Sequence, residues 1–183
     1  MKYLGYHTTV FLSLLVLMAA TIMGPATIHA DEDTDMALAA LADLYAESDT
    51  SRIMGESAKG ILVFPSIVKG GFLVGGQYGE GVLLVDGKQI GRFNTVQLSY
   101  GLQAGLHKYG YALFFMTDDA LNWLQSAPGW ELGVGPTIVV VDEGVGRNLS
   151  TTTLKSDIYA FFFSQKGLMG GMGLQGTKIS KIN

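Results

Sequence analysis

Cysteine is absent from this chain of 183 residues, and its absence excludes several kinds of chemistry at once. There is no disulfide framework, no thiolate nucleophile and no cysteine that could carry a lipid. Histidine is almost as scarce, because His7 and His29 lie in the first thirty residues and only His107 comes later. One histidine without cysteine leaves carboxylates as the remaining zinc ligands, so we expect no metal site.

Sequence motifs for catalysis and for cofactor binding are also missing. No serine stands in a G-x-S-x-G turn, and a Ser-His-Asp site would have to use His107. The sequence GMGLQGTK at 171–178 resembles a phosphate loop, but its threonine and lysine are in reversed order. Only five residues follow it, which leaves no room for the helix that would hold a phosphate. We therefore predict a protein that is not an enzyme and has no cofactor.

Charge of one sign is concentrated only near the N-terminus. Residues 31–52 contain seven acidic residues against Arg52 alone, whereas residues 53–183 contain ten basic residues and nine acidic ones. Residues 53–183 are thus nearly neutral and lack the excess of basic residues that is typical of nucleic-acid binding, so nucleic acid is not an expected partner. Any anion would have to be bound by a few lysines that folding brings together.

The longest apolar run lies at residues 10–23 (VFLSLLVLMAATIM). Lys2 precedes this run, Pro25 follows it, and Ala30 stands just before the acidic sequence DEDTD. This order is typical of a secretory signal peptide that is cleaved after Ala30. A retained anchor is the alternative, although the run is shorter than the about 20 residues that a spanning helix needs. We expect an exported protein of the periplasm or cell envelope.

Three parts of the chain are predicted on this basis. Residues 1–30 are the signal peptide, and residues 31–49 are an acidic segment with a helix at 36–47, capped by Thr34 or Asp35. The apolar residues of this helix repeat at helical spacing and are expected to pack on a sheet: Leu38, Leu41, Leu44 and Tyr45. Residues 50–183 complete one globular domain with this segment and begin with a second helical piece at 51–58.

Strands are predicted from residue 61 onward. Pro65 should end the first strand, Asp86-Gly87 should form a tight turn, and Thr117 should cap one short central helix, DDALNWLQ. The predicted strands are 61–64, 72–78, 82–85, 90–93, 95–104, 110–116, 137–141, 158–163 and 168–175, with His107 in a turn and a polar loop at 142–156. The predicted fold class is α+β, with N-terminal helices, one short central helix and a curled antiparallel β-sheet or barrel-like β core.

Glycine is abundant where strands are predicted, in the stretches 70–81, 98–105 and 167–176. Glycine weakens a strand interior, so it recurs there mainly where a sheet bends sharply or where a backbone or ligand comes close. We expect the first and last stretches to form a smooth, curved binding surface. The candidate positions are Gly70, Gly71, Gly75, Gly76, Gly79, Gly81, Gly167, Gly170, Gly171, Gly173 and Gly176.

Four segments in order resemble the SYLF domain family, also called the Ysc84 family. They are AKGILVFPSIVKGGFLVGGQYGEGVLL at 58–84, LSYGLQAG at 98–105, MTDDALNWL at 116–124 and FFFSQKGLMGGMGLQGTKI at 161–179. The resemblance covers about residues 50–183 and implies a lipid-binding module. Eukaryotic relatives are associated with phosphoinositide membranes and actin regulation, and bacterial relatives are small exported proteins. An exported bacterial protein would not meet actin, so actin is not an expected partner.

The resemblance predicts a phospholipid or membrane surface as the partner. Lys69 lies beside the first glycine stretch, and Lys166 and Lys178 flank the last one, so these three lysines are the candidates for contact with anionic headgroups. The alternative for each is a solvated surface lysine. The alternative function is a structural or protein-interaction module of the envelope, which would contact a protein partner through a sheet edge or the 142–156 loop.

Overall fold

The computed structural model describes residues 27–71, 74–100, 105–141, 155–166, 174 and 176–182. The chain divides after Glu32 into two units, Met1–Glu32 and Asp33–Asn183, and the second unit contains the sheet. In chain order, the elements are α1 (Thr27–Glu47), α2 (Asp49–Ser57), β1 (Gly60–Gly71), β2 (Val74–Val85), β3 (Lys88–Tyr100), β4 (Gly105–Phe115), α3 (Asp118–Ser126), β5 (Trp130–Glu131), β6 (Ile138–Val141), β7 (Ile158–Lys166) and β8 (Lys178–Ile182). None of the described helices combines the length and the apolar character that crossing a membrane requires.

The eight strands form one sheet in the order β5-β8-β3-β2-β1-β4-β7-β6. β6 and β7 are parallel, and the other neighbouring strands are antiparallel. Within the described residues, β5 and β6 do not pair with each other, so the sheet curls into a half-barrel instead of closing. These helices and this curled sheet confirm the predicted α+β class. The parallel pair is possible because the connection from β6 to β7 is long enough for a crossover.

Each face of the sheet has its own apolar core. One core contains buried residues of α3 and of the strands beneath it, including Leu121, Leu124 and Phe64, and we call this side the α3 face. The other core contains buried residues of α1, α2 and the strands, including Leu44 and Phe114, and we call this side the α1 face. Because side chains alternate along a strand, the face of each strand residue follows from these two cores and the register.

The predictions for the packing and the caps of the helices are confirmed in part. Leu41 and Leu44 are buried against the sheet and Tyr45 is packed against the same core, which confirms the prediction for these three residues. The prediction for Leu38 is wrong, because this side chain is exposed. The expected start of α1 is wrong, because the helix begins at Thr27 and both proposed caps lie inside it. At α3, the hydroxyl of Thr117 accepts a hydrogen bond from the backbone N–H of Ala120 at 3.2 Å, which confirms the predicted cap.

Several strands are longer than predicted. β1 runs through Pro65. The pairing of β1 with β2 and its pairing with β4 both shift register at this residue, and the resulting bulge tolerates the missing N–H of proline. β2 continues through Gly79, Glu80 and Gly81 without a break, and β3 is also one strand. The predicted turn is confirmed, since Asp86 and Gly87 have φ values of 50° and 72°, as a tight hairpin turn requires.

Two further predictions concern the end of the sequence and the histidine. The last strand is β8, whereas most of the predicted strand 168–175 and most of the loop 142–156 lie outside the described residues; Leu174, which is described, is not in a strand. His107 lies within β4 and not in a turn, because β4 begins at Gly105 and is longer than its apolar run indicated.

Candidate functional site

One end of the sheet exposes apolar side chains on the α1 face. The register places Val68, Tyr78 and Val96 side by side on β1, β2 and β3, with Leu98 and Leu106 in the next row. Leu98 is 70% exposed and Leu106 is 78% exposed, and the other three are also exposed. We call these five residues the apolar patch. Contiguous exposed apolar groups on a soluble domain are typical of an interaction surface.

Glycine separates the two exposed leucines. Leu98 is paired with Gly76 on β2, Gly76 with Gly70 on β1, and Gly70 with Leu106 on β4. A Cβ atom added at Gly76 would lie 3.7 Å from the carbonyl oxygen of Gln97, which is ordinary van der Waals contact. The patch is therefore a shallow surface, with leucines at its sides and no side chains in the middle of that row.

A row of polar contacts, one of which comes from α1, lies next to the apolar patch. Asp33 of α1 forms an ion pair with Arg92 of β3, with 2.6 Å between Nη2 and Oδ2, and Arg92 also contacts Glu80 at 3.1 Å. The Arg92–Asp33 contact is an attraction between charges without the alignment of a hydrogen bond. The hydroxyl of Tyr78 donates a hydrogen bond to Glu80 at 2.6 Å, so Tyr78 joins this polar row to the patch.

Lysines stand at both sides of the patch. Lys178 of β8 is exposed and is paired with Val96, and Lys108 of β4 is exposed and is paired with Val68. Lys166 of β7 is in turn paired with Lys108 in the backbone register. Two of the three candidate lysines, Lys166 and Lys178, thus belong to strands beside the patch. Lys108 was missed in the sequence, because it is not adjacent to either of the two chosen glycine stretches.

The third candidate lysine lies on the opposite face. Lys69 is two residues from the buried Ile67, and it is paired with Gln77 on β2 and His107 on β4. All three therefore lie on the α3 face. Gln77 is only 5% exposed, and its Oε1 accepts a hydrogen bond from the hydroxyl of Tyr109 at 2.6 Å. The glycine-rich end of the sheet is therefore apolar on the α1 face and polar on the α3 face. We call Lys69, Gln77 and His107 on the α3 face the polar inner row.

Two of the candidate glycines are explained by packing in the core. A Cβ atom at Gly81 would lie 2.5 Å from Cδ1 of Phe64 and 2.6 Å from the carbonyl oxygen of Val63. At Gly79, a Cβ atom would overlap the Cδ1 atom of Ile67. Both glycines face the α3 core, so their lack of a side chain lets β1 and β2 pack closely there.

The remaining candidate glycines fall into three groups. Gly71 and Gly75 are paired with each other on the α3 face, next to the Lys69 row. Gly176 has a φ of 76° in the turn before β8, a conformation that favours glycine. Gly167, Gly170, Gly171 and Gly173 lie outside the described residues.

Two buried tyrosine hydroxyls form hydrogen bonds on the α3 face. The hydroxyl of Tyr111 donates a hydrogen bond to Oγ1 of Thr95 at 2.7 Å, and both residues are fully buried. Burial raises the pKa of Tyr109 to about 12, and its hydrogen bond with Gln77 opposes this rise. Burial also raises the pKa of Tyr111. Both tyrosines are therefore neutral hydrogen-bonding groups at neutral pH. Among the described residues, no three acidic or histidine side chains converge as a metal-ion site.

An exposed apolar patch between lysines is a feature that interaction surfaces commonly have. Residues 96–183 match the family model Ysc84, described as a Las17-binding protein actin regulator. This match confirms the resemblance to the Ysc84 (SYLF) family over residues 96–183. The matched range contains Leu98, Leu106 and Lys108, whereas β1 and β2 precede it. No curated protein matches the chain in sequence.

Proposed function

We propose that this protein is a non-enzymatic membrane-binding protein of the bacterial cell envelope. It attaches to anionic phospholipid through the apolar patch and the lysines beside it. The observation that carries the proposal is the exposure of Leu98 and Leu106 on one face, between Lys108 and Lys178. The Ysc84 domain supports a binding role for the same part of the chain.

The energetics of the patch fit attachment to a bilayer surface. Moving one exposed leucine out of water contributes about 1.5 to 3 kcal/mol, so two leucines account for a substantial part of membrane affinity. A lysine near an anionic surface adds about 1 kcal/mol, and salt weakens this contribution. Leu98 and Leu106 would enter the interface, while the ammonium groups of Lys108 and Lys178 meet the phosphates.

Sedimentation with vesicles tests this proposal. We expect the protein to bind vesicles of phosphatidylcholine with phosphatidylglycerol more strongly than vesicles of phosphatidylcholine alone. Leu106→Ser should weaken binding by about tenfold or more, given the apolar burial that it removes. Ile90→Ser is a matched control. Ile90 is also an exposed apolar residue, but it lies at the end of β3 opposite to the patch residues Val96 and Leu98.

The controls also define the result that contradicts the proposal. Equal binding of Leu106→Ser and wild-type protein, or no binding to either vesicle at low salt, would rule out the patch as a membrane contact. Lys108→Gln should weaken binding only to the anionic vesicles, and the difference should disappear in high salt.

A protein-contact module is the second candidate, and the description of the matched family as a Las17-binding protein favours it. This candidate would use the same apolar patch against a protein of the envelope. Salt separates the two, because an apolar protein contact should persist where headgroup attraction is screened. Because export is proposed, actin is not an expected partner of this chain.

Export is part of this proposal. We propose that residues 1–30 act as a signal peptide and that the mature protein resides in the periplasm or cell envelope. N-terminal sequencing of protein from fractionated cells tests this. A mature N-terminus at Asp31 in the envelope fraction is the expected result, and an intact Met1 in the cytoplasmic fraction would contradict it.

A further inference from the structure

We infer that Lys69, Gln77 and His107 form a binding site for a phosphate group on the α3 face of the sheet. The inference is independent of the proposed membrane contact, which uses the opposite face. Its basis is a row of three polar side chains on three adjacent strands. Two of these side chains, those of Gln77 and His107, each have a buried nitrogen atom that forms no hydrogen bond with any described residue.

The backbone register brings the three side chains together. Lys69 of β1 stands directly opposite Gln77 of β2 on one side and His107 of β4 on the other. Paired residues in an antiparallel sheet have Cβ atoms about 5 Å apart, so the three side chains are immediate neighbours on one face. A single phosphate with its several oxygens can therefore meet all three.

Gln77 provides the observation that points to a ligand. Its side chain is 5% exposed, and its Oε1 is already engaged by the hydroxyl of Tyr109. Its Nε2 is buried and has no hydrogen-bond partner within the described part of the chain. Leaving a buried donor unsatisfied costs about 1 to 3 kcal/mol, so an acceptor supplied by a ligand would be strongly favoured.

His107 has a matching feature. Its Nδ1 atom is also buried and without a partner among the described residues, although the side chain as a whole is half-buried. A ring nitrogen that carries a proton can donate to an oxygen of the ligand. With the half-buried Lys69 between them, the row offers one ammonium, the amide N–H of Gln77 and, in the tautomer protonated at Nδ1, the ring N–H of His107. No acidic residue forms an ion pair with Lys69 in the described structure.

Glycines border the three polar residues on the same face. The next row on the same face consists of Gly75, Gly71 and Gly105, which are paired across β2, β1 and β4. Three adjacent strands thus contribute no side chain beside Lys69, Gln77 and His107. Glycine in a strand interior typically marks close approach by a ligand or another backbone. The first glycine stretch therefore borders the phosphate site on this face.

The ligand is a phosphate group, and it has two sources: a soluble phosphate ester or a phospholipid headgroup. Glycerol phosphate and phosphatidylglycerol vesicles are the two probes. We expect glycerol phosphate to shift the amide NMR signals of β1, β2 and β4 around residues 69, 77 and 107. Lys69→Gln should weaken this binding by about tenfold or more, because hydrogen bonds to charged groups contribute about 1.5 to 3 kcal/mol each.

Lys108→Gln is the matched control, since Lys108 follows His107 in the same strand but lies on the opposite face. It should leave glycerol phosphate binding unchanged while weakening vesicle binding, so failure of one proposal does not imply failure of the other. If glycerol phosphate competes with vesicles in the wild type but not in Lys69→Gln, the site takes lipid headgroups. If it binds the wild type without affecting vesicles, the site takes soluble phosphates.

Two results would overturn the inference. One is that neither glycerol phosphate nor inorganic phosphate binds the folded wild-type protein. The other is that Lys69→Gln binds glycerol phosphate as tightly as the wild type does. His107→Gln gives a second measurement if Lys69→Gln does not fold, and it should weaken phosphate binding in the same direction.

Discussion

Replacing Gly81 with alanine should destabilise the protein, whereas the same change at Gly76 should stabilise it slightly. The two glycines lie on β2 in the same glycine stretch but on opposite faces. At Gly81, the new Cβ would lie 2.5 Å from Phe64 and 2.6 Å from the backbone oxygen of Val63. Neither atom can move far, because Phe64 is fully buried and the oxygen belongs to the sheet backbone.

The magnitudes follow from these distances. Inserting a methyl group into a packed core typically costs about 1 to 3 kcal/mol, so we expect a loss in this range for Gly81→Ala. At Gly76, the new Cβ would have its nearest contact at 3.7 Å, and alanine restricts the unfolded chain more than glycine does. Gly76→Ala should therefore increase the free energy of unfolding by about 0.5 kcal/mol.

Urea unfolding measures both variants, with tryptophan fluorescence as the signal. Trp130 is buried in the α3 core, so its emission reports the loss of tertiary packing. The midpoint should fall for Gly81→Ala and rise slightly for Gly76→Ala, with an unchanged slope. Equal midpoints for the two variants would refute the assignment of Gly81 to the core and of Gly76 to the surface.

Three further predictions concern hydrogen bonds and charges around the sheet. Tyr111→Phe should lower the free energy of unfolding by about 1 to 3 kcal/mol, because it leaves the buried hydroxyl of Thr95 unpaired; no loss in urea unfolding would contradict this. Stability should fall as pH rises above 10, because Tyr109 loses its proton near pH 10 when unfolded but keeps it up to about 12 when folded. Tyr109→Phe should reduce this pH dependence, as measured by urea midpoints at about pH 9 and about pH 11. Arg92→Gln should cost less than about 1 kcal/mol through its lost ion pair with Asp33, and thermal unfolding in high salt should remove the difference.

Features that depend on local chemistry could be predicted from the sequence. Thr117 caps α3 through a contact with a residue three positions later, and Asp86-Gly87 adopts its turn without help from distant residues. Pro65 shows the limit of such local rules. Proline normally ends a strand, but β1 has neighbours on both sides, and the register shifts in both pairs let it continue.

The faces of the glycine-rich strands could not be predicted for the same reason. The bulge at Pro65 adds a residue to β1 and so changes which later side chains face the α3 core. Lys69 and Lys108 therefore separate onto opposite faces, although both lie near the glycine stretches. Apolar side chains such as those of Leu98 and Leu106 are usually buried, and the sequence alone does not show that this end of the sheet leaves them exposed.

The shortness of the two outermost strands has a consequence for how copies of this protein meet. Among the described residues, β5 has two residues and β6 has four, so these two strands themselves offer few backbone groups to an incoming chain. Open sheet borders are templates for aggregation, and natural proteins protect themselves by making such strands short. In the described part of the chain, these two short outermost strands therefore give an incoming chain little backbone to pair with, which limits association of sheets at those positions.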